Sequence, residues 1–261
     1  MRLVARFASL WLLLTLVACG SPRDRPGRSQ AAVGGTARLG DPGTGASVNG
    51  PPAAPREAEP SAAATPGAPL VVFLGDSLSA GLGLDADQAY PALAGKLLDD
   101  RGLPVRVLNA GLSGDTSAGG RERLAWFLRQ KPAVVVVELG ANDALRGQPL
   151  AGIEANLRDI VERAQSSGAR VVLAGMQIPT NYGPDYTRGF AAIYPRVARQ
   201  TGATLIPFLL EEVGGIPRLN QADGIHPTAE GQRIVARNVV RVLAPVVSEV
   251  EPPGRSATPG R

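Results

Sequence analysis

Leu70-Val71-Val72-Phe73-Leu74-Gly75-Asp76-Ser77-Leu78 is the stretch of sequence from which the fold can be predicted. Its first five residues are apolar and do not alternate with polar residues, which is typical of a strand covered on both faces of a sheet. Further apolar and β-branched runs of this kind follow it, so the sequence predicts strands over residues 70–74, 105–108, 133–139, 170–174 and 204–206.

Longer amphipathic segments separate these runs. They predict helices over residues 90–100, 116–130, 150–166, 186–200 and 228–243. Strands and helices in alternation imply right-handed βαβ units, and hence a five-stranded parallel sheet with helices on both sides. Ligands of such sheets bind at the carboxyl ends of the strands, so the loops that follow strands are where we expect the functional residues.

Composition and charge exclude several classes of function. The chain has 261 residues and carries 27 Lys and Arg against 23 Asp and Glu, but residues 69–250 hold 18 side chains of each sign. A segment with no net charge argues against a nucleic-acid binder, which should show a basic field. One Cys excludes an internal disulfide. One Cys with one His also argues against a zinc site built from these ligands, and we expect no metal.

The lone cysteine follows a segment typical of an export signal. Arg2 and Arg6 precede the apolar residues 10–18, and this run is too short to span a bilayer. Residues 16–19 read Leu-Val-Ala-Cys and resemble the lipobox of bacterial lipoproteins, which implies cleavage after residue 18 and a lipidated Cys19. The alternative is an ordinary signal peptide with an incidental Cys. Gly20 after the cysteine resembles the Gram-negative pattern for the periplasmic face of the outer membrane.

The residues after Cys19 predict a tether. From 20 to 68, Gly, Pro, Ala, Ser and Thr fill 35 of 49 positions, and no residue is aromatic. Such a segment cannot bury enough apolar surface to offset its chain entropy. We therefore expect a signal peptide over 1–18, a lipidated cysteine and disordered tether over 19–68, a folded domain over 69–250 and a disordered tail over 251–261.

The loops after the strands hold residues suited to nucleophilic catalysis. A serine hydroxyl is a weak nucleophile unless a base takes its proton, and His226 is the one histidine that could activate Ser77. Asp223, three residues before His226, is close enough to orient the imidazole and stabilise its cation. A solitary histidine is, however, more often a structural residue, so this pair needs support from the other loops.

Two other loops offer donors for an oxyanion. The second strand is followed by Leu-Ser-Gly-Asp over 112–115, and the third by Gly-Ala-Asn-Asp over 140–143. The backbone N–H groups of Ser77 and Gly114 and the side-chain amide of Asn142 could stabilise a tetrahedral intermediate. Taken singly, Gly114 and Asn142 could equally be turn residues, because both types are common in turns and at helix starts.

In order and spacing, the motifs around Ser77, Gly114, Asn142 and His226 resemble those of the SGNH or GDSL hydrolases, most closely the bacterial arylesterase, thioesterase I and lysophospholipase subgroup. The resemblance covers about residues 69–247. It implies a flavodoxin-like three-layer α/β/α sandwich, a Ser77–Asp223–His226 triad, the oxyanion hole above and no cofactor. We also expect an acyl-binding side, where each residue could instead be a packing residue, formed by Leu78, Leu145, Ile178, Pro179 and Tyr182.

The function that we predict is that of a lipid-anchored, monomeric serine esterase acting on small acyl esters, thioesters or lysophospholipids. One alternative is an O-deacetylase of envelope polysaccharide, although a 4% aromatic content does not favour it. Another is a noncatalytic envelope-binding lipoprotein that retains the fold. Ala141 departs from the family pattern, since many members have a second glycine there, and we expect it to stiffen the loop that carries Asn142.

Overall fold

The computed structural model describes residues 67–250, and the segments predicted before and after this range, with Cys19, lie outside it. Five parallel strands form the sheet of the described part, in the order β2-β1-β3-β4-β5. The strands are β1 (Leu70–Gly75), β2 (Arg106–Gly111), β3 (Val134–Glu138), β4 (Arg170–Ala174) and β5 (Thr204–Ile206). The predicted parallel sheet is confirmed, and its strand order is that of the flavodoxin-like fold.

Helices cover both faces of the sheet. One layer contains α2 packed on α8, and the other contains α5 packed between α3 and α7. None of the helices in residues 67–250 is long and apolar enough to cross a membrane. They are α1 (Ser77–Ala80), α2 (Tyr90–Asp99), α3 (Ser117–Leu128), α4 (Ala141–Leu145), α5 (Leu150–Ser166), α6 (Pro184–Ala191), α7 (Ile193–Thr201) and α8 (Ala229–Ser248).

The core lies at the centre of the sheet. Every residue of β1 and β3 is buried, because these strands have neighbours on both sides and helices on both faces. Phe73 of β1 packs edge to face against Tyr90 of α2, with ring centroids 5.7 Å apart. Full burial of each large apolar side chain contributes about 1.5–3 kcal/mol, so the apolar runs of β1 and of the central strand β3 supply much of the sheet's stability.

Several element boundaries differ from the prediction. The helix predicted over 186–200 is wrong as a single element, because α6 ends at Ala191 and α7 starts at Ile193. Pro195 in the first turn of α7 explains the break, since its ring would clash with the carbonyl group of residue 191 in a continuous helix. β2 continues to Gly111, and α8 continues to Ser248.

The strand order reverses next to β1, since the chain moves from β1 outward to β2 and then back across to β3. The carboxyl ends of β1 and β3 therefore flank the crevice in which sheets of this type bind ligands. α1 follows β1 and α4 follows β3, so both short helices begin in this crevice. The sequence had predicted only loops at these two places.

Candidate active site

Ser77 stands at the start of α1, immediately after β1. Gly75 is the last residue of β1, and a Cβ there would overlap the Ser79 side chain, so only glycine permits this abrupt change from strand to helix. Asp76 caps the helix: its Oδ1 accepts a hydrogen bond of 3.0 Å from the Leu78 N–H. The cap fixes the first turn of α1, and with it the position of Ser77.

Ser77, His226 and Asp223 form a continuous chain of hydrogen bonds. Ser77 Oγ lies 2.8 Å from His226 Nε2, and His226 Nδ1 lies 2.6 Å from Asp223 Oδ2. Ser77 is 149 positions away from His226 in the sequence, so the fold itself brings the two together. With Nδ1 protonated and bonded to Asp223, Nε2 is free to accept the proton of the Ser77 hydroxyl.

The loop that carries the histidine is held by its own polar groups. Asp223 Oδ1 accepts the backbone N–H groups of Ile225 and His226, at 2.9 and 3.0 Å. Hydrogen bonds from the His226 backbone, the His226 ring and the Ile225 backbone lower the pKa of Asp223 to about 2. Asp223 is therefore ionised at any pH at which the protein would be expected to work.

Gln221 connects this loop to the segment after α1, a contact that the sequence did not predict. Its backbone N–H donates to the His226 carbonyl oxygen at 2.7 Å, and its Nε2 donates to the Leu82 carbonyl oxygen at 2.7 Å. The histidine loop is thus attached to the segment that follows the α1 helix bearing Ser77. This attachment restrains the histidine loop relative to the segment after α1.

The three predicted oxyanion donors follow three neighbouring strands. Ser77 follows β1, Gly114 follows β2 and Asn142 follows β3. Among residues 67–250, the backbone N–H groups of Ser77 and Gly114 donate to no protein acceptor. Gly114 has φ = 81°, a left-handed conformation that favours glycine, and its carbonyl oxygen accepts a 3.0 Å hydrogen bond from Arg146.

Asn142 lies in the first turn of α4, where its side chain is fixed from one side. Its Nδ2 donates to Asp76 Oδ2 at 3.0 Å. An amide nitrogen carries two hydrogens, so one remains available for a substrate oxygen. Asp143 holds the same helix from below, because its carboxylate accepts both the backbone N–H and the hydroxyl of Ser117 at 2.7 Å.

Arg123 stabilises the strand ends at the crevice, a role that the sequence did not predict. It forms a 2.7 Å ion pair with Asp115 and donates to the carbonyl oxygens of Ala110 and Gly75, at 2.6 and 2.9 Å. It therefore joins the ends of β1 and β2 to the residue next to Gly114. These contacts connect positions up to 48 residues apart, and no local pattern in the sequence reports them.

Two buried carboxyl groups lie behind Ser77. Burial raises the pKa of Asp76 to about 6, and burial together with the nearby Asp76 charge raises the pKa of Glu138 well above its ordinary value. Glu138 is the last residue of β3 and is fully buried. The sequence does contain an indication of this buried carboxyl group, because Glu138 is a single acidic residue at the end of a run of valines that are predicted to be buried.

The residues predicted for the acyl-binding side occupy different environments. Leu78 and Ile178 are buried in the core, Leu145 is half-buried, and Pro179 and Tyr182 are exposed. The Tyr182 hydroxyl donates to the Leu145 carbonyl oxygen at 3.0 Å, which joins the end of α4 to the segment after β4. Their role in binding substrate stays a prediction. In the described part of the chain, no cluster of His, Cys, Asp and Glu could hold a metal ion.

A flavodoxin-like sheet with a hydrogen-bonded serine, histidine and aspartate at its crevice defines a serine ester hydrolase. The chain belongs to the GDSL-like lipase/acylhydrolase family, whose model matches residues 73–234. This result confirms the resemblance that the four motifs indicated.

Curated relatives and solved structures agree with this membership. Esterase TesA of Pseudomonas aeruginosa is 48% identical over 69% of this chain and 90% of its own length. The thioesterase 1/protease 1/lysophospholipase L1 of Escherichia coli K12 is 41% identical over 69% of this chain and 86% of its own. A crystal structure of TesA has a TM-score of 0.65 at 49% identity and covers 68% of this chain and 98% of its own.

A second solved structure is that of the psychrotrophic esterase EstA from Pseudoalteromonas, inhibited by monoethylphosphonate. It has a TM-score of 0.64 at 32% identity and covers 69% of this chain and 99% of its own. The similarity thus spans almost the whole of each solved relative.

Proposed function

We propose that this protein hydrolyses acyl esters, thioesters or lysophospholipids through a covalent acyl-enzyme on Ser77. The observation that carries the proposal is the hydrogen-bond chain from Ser77 Oγ through His226 to Asp223, at 2.8 and 2.6 Å. The first separation lets His226 Nε2 take the Ser77 proton, and the second lets Asp223 hold the imidazole in the tautomer that this step needs. The names of the curated relatives, an esterase and a thioesterase/lysophospholipase, support this class of substrate.

In the first half of the reaction, Ser77 Oγ attacks the carbonyl carbon while His226 Nε2 takes its proton. Asp223, ionised and bonded to Nδ1, stabilises the imidazolium that forms. The carbonyl oxygen becomes an oxyanion, to which the N–H groups of Ser77, Gly114 and Asn142 donate. The imidazolium then protonates the leaving oxygen or sulfur, the bond to the acyl carbon breaks, and the acyl group remains on Ser77.

Hydrolysis of the acyl-enzyme uses the same groups in reverse. His226 Nε2 removes a proton from water, the resulting hydroxide attacks the acyl carbon, and a second oxyanion forms in the same hole. Its collapse returns the proton to Ser77 Oγ and releases the carboxylic acid. No step needs a metal or an organic cofactor, since each proton and each electron pair is carried by these residues or by water.

The rim of the crevice offers a place for the acyl chain of the substrate. Leu145 ends α4, which follows β3, and Pro179 and Tyr182 lie in the segment after β4. We assign the acyl chain to this side, where Leu78 and Ile178 are buried. Leu82, Leu112 and Ile225 are exposed by about half in the segments next to Ser77 and His226. An apolar rim of this kind suits a substrate with a short hydrocarbon chain.

Kinetics of three variants test the proposed catalytic unit. Ser77→Ala, His226→Ala and the double variant are compared on p-nitrophenyl esters of increasing chain length. Residues that act as one proton-transfer unit are not additive, so each single variant should lose about as much kcat as the pair, on the order of 10⁶. If either single variant keeps more than about a tenth of the activity, the proposed roles are wrong.

The proposal for location rests on the sequence before the described residues. We propose that Cys19 is lipidated and that the enzyme works as a monomer on the periplasmic face of the outer membrane. The residues Leu-Val-Ala-Cys over 16–19 support lipidation. Several acyl chains on one cysteine, at about 0.8 kcal/mol per buried CH₂, hold a protein stably on a membrane.

Labelling with a palmitate analogue tests this proposal. The wild-type chain should take up label and fractionate with membranes, whereas Cys19→Ser should do neither and should keep its kcat on a soluble ester. A wild-type chain that takes up no label and fractionates as a soluble protein would mean that residues 1–18 are an ordinary signal peptide.

A further inference from the structure

Glu138 is a buried acidic residue that the reaction above leaves unused. It ends β3, its side chain is fully buried, and its register partner on β1 is Gly75. We propose that Glu138 is a positioning residue, which in its neutral acid form holds Asp76 in place so that Asp76 aims the Asn142 amide at the oxyanion. This inference rests on the hydrolytic function proposed above.

The hydrogen bonds form a relay of three residues. Glu138 Oε2 accepts the backbone N–H of Asp76 at 3.2 Å. The Asp76 carboxylate in turn accepts the Leu78 N–H on Oδ1 and the Asn142 amide on Oδ2, each at 3.0 Å. Because one amide hydrogen of Asn142 is committed to Asp76, the direction of the other is fixed by the planar geometry of the amide.

The same relay also reaches the second oxyanion donor. Asp76 immediately precedes Ser77, so the bond from the Asp76 N–H to Glu138 restrains the backbone just before the Ser77 N–H. Two of the three donors therefore depend on where Glu138 holds residue 76. Gly75 makes the arrangement sterically feasible, since a Cβ there would lie only 2.7 Å from Glu138 Oε2.

The surroundings of Glu138 favour its neutral form. Neither Glu138 nor Asp76 forms an ion pair with a basic residue in the part of the chain that the structure describes. Burial of two unpaired charges side by side is strongly unfavourable, so one carboxyl group keeps its proton. Burial and the Asp76 charge raise the pKa of Glu138 well above its ordinary value, which makes Glu138 the protonated member.

Hydroxyl groups complete the cluster. Ser79 Oγ donates to Glu138 Oε2 at 2.8 Å and lies 2.7 Å from the Tyr90 hydroxyl, which is then free to donate to Ser79. Burial raises the pKa of Tyr90 well above its ordinary value, so Tyr90 stays a donor. Oε2 thus receives two donors and Oε1 receives none, which leaves Oε1 as the place for the proton.

Two substitutions at position 138 separate this role from a requirement for charge. Glu138→Gln keeps an oxygen for the Asp76 and Ser79 donors and puts NH₂ in place of the protonated Oε1. Glu138→Ala removes both the acceptor oxygen and the group at Oε1. On a short p-nitrophenyl ester, we expect Glu138→Ala to lower kcat about tenfold or more with KM within about threefold, and Glu138→Gln to recover most of that loss.

Asn238→Ala is the matched control for lost structure. It removes another buried amide, whose Nδ2 donates to the Glu211 carbonyl oxygen at 2.7 Å and which lies on α8, away from the relay. Its kcat should stay within about twofold of the wild type. If Glu138→Gln loses as much kcat as Glu138→Ala, the ionised form is needed and the inference is overturned.

A double-mutant cycle with Asn142→Ala shows whether Glu138 acts through Asn142. If it does, the fold-loss of kcat caused by Glu138→Ala should be smaller in the Asn142→Ala background than in the wild type, by a factor of about three or more. Two losses that simply multiply would overturn the relay. Should Glu138→Ala fail to fold, Glu138→Met takes its place in the cycle, since it keeps much of the side-chain volume and offers the Asp76 N–H no carboxyl oxygen, and the same two outcomes decide.

The same panel includes Ser77→Ala, so that the two proposals can fail separately. Activity retained by Ser77→Ala would overturn the proposed function. An inactive Ser77→Ala together with wild-type kcat in Glu138→Ala would leave the function standing and overturn only the role of Glu138.

Discussion

Asp223→Asn perturbs the orientation of His226 while leaving its loop in place. The asparagine oxygen can still accept the backbone N–H groups of Ile225 and His226, which Asp223 Oδ1 accepts at 2.9 and 3.0 Å. Its NH₂ group, however, replaces the oxygen that lies 2.6 Å from His226 Nδ1. Two donors cannot share that hydrogen bond, so the ring must carry its proton on Nε2, where it faces Ser77 and can no longer act as a base.

The size of the effect depends on solvent access. In hydrolytic triads, a wrong imidazole tautomer lowers kcat by about 10⁴, which corresponds to about 5.4 kcal/mol of transition-state stabilisation. The Asp223 side chain is 45% exposed, so water competes for Nδ1 and we expect a loss of about 10³ to 10⁴. Asp223→Ala should lose less, about 10² to 10³, because water can enter and accept the Nδ1 proton.

Steady-state hydrolysis of p-nitrophenyl butyrate measures both variants, with thermal unfolding as a check of the fold. The loss should be the same at about pH 8 and about pH 9, because the pKa of Asp223 is about 2 and its charge does not change in that range. Asp185→Asn is the control, since Asp185 is an exposed aspartate in an ion pair with Arg188 on α6. The role assigned to the His226 tautomer would be refuted if Asp223→Asn kept more than about a tenth of the wild-type kcat, or if its kcat were higher than that of Asp223→Ala.

Three further outcomes are expected. Asn142→Ala should lower kcat by about 10² to 10³ with KM almost unchanged in steady-state kinetics, since its free amide hydrogen acts in the transition state; a change in KM alone would contradict this. Arg123→Met should lower the free energy of unfolding in urea by about 3–5 kcal/mol, because it leaves the buried Asp115 carboxylate unpaired; a loss under about 1 kcal/mol would count against it. The pKa of Asp76 is about 6, against 3.8 for an unperturbed carboxyl. Between these two pH values the folded protein keeps a proton on Asp76 that the unfolded chain has released. The contribution of Asp76 to the free energy of unfolding therefore falls by about 2–3 kcal/mol as the pH rises from about 4 to about 6. Asp76→Asn should lack that fall when urea unfolding is compared across this range, and an identical pH dependence in both proteins would contradict the shift.

The sheet and the order of the site residues could be predicted because they depend on local patterns. Strands buried on both faces are continuous apolar runs, and the serine, glycine, asparagine and histidine motifs each follow or precede such an element. The break at Ala192 was predictable in principle from Pro195, whose position in the first turn excludes a continuous helix. The helices α1 and α4 could not be predicted, because four or five residues are too few to show helical periodicity.

The supporting residues depend on contacts that the sequence does not encode locally. Glu138 meets Asp76 because β3 lies beside β1 in a register that pairs Gly75 with Glu138. Arg123 reaches Gly75 across 48 positions, and Gln221 reaches Leu82 across 139. A sequence read in short windows shows an acidic residue, an arginine and a glutamine, but not which carbonyl or carboxyl group each will meet.

Covalent labelling tests most directly whether Ser77 is the nucleophile. A p-nitrophenyl alkylphosphonate transfers its phosphonyl group to an activated serine, with formation of the O–P bond and release of p-nitrophenolate. The central claim predicts one phosphonyl group for each chain, on the peptide that contains Ser77, with activity lost in step with labelling and with no label on Ser77→Ala. Full inactivation with the label on another residue, or unlabelled Ser77 in a protein that remains active, would contradict it.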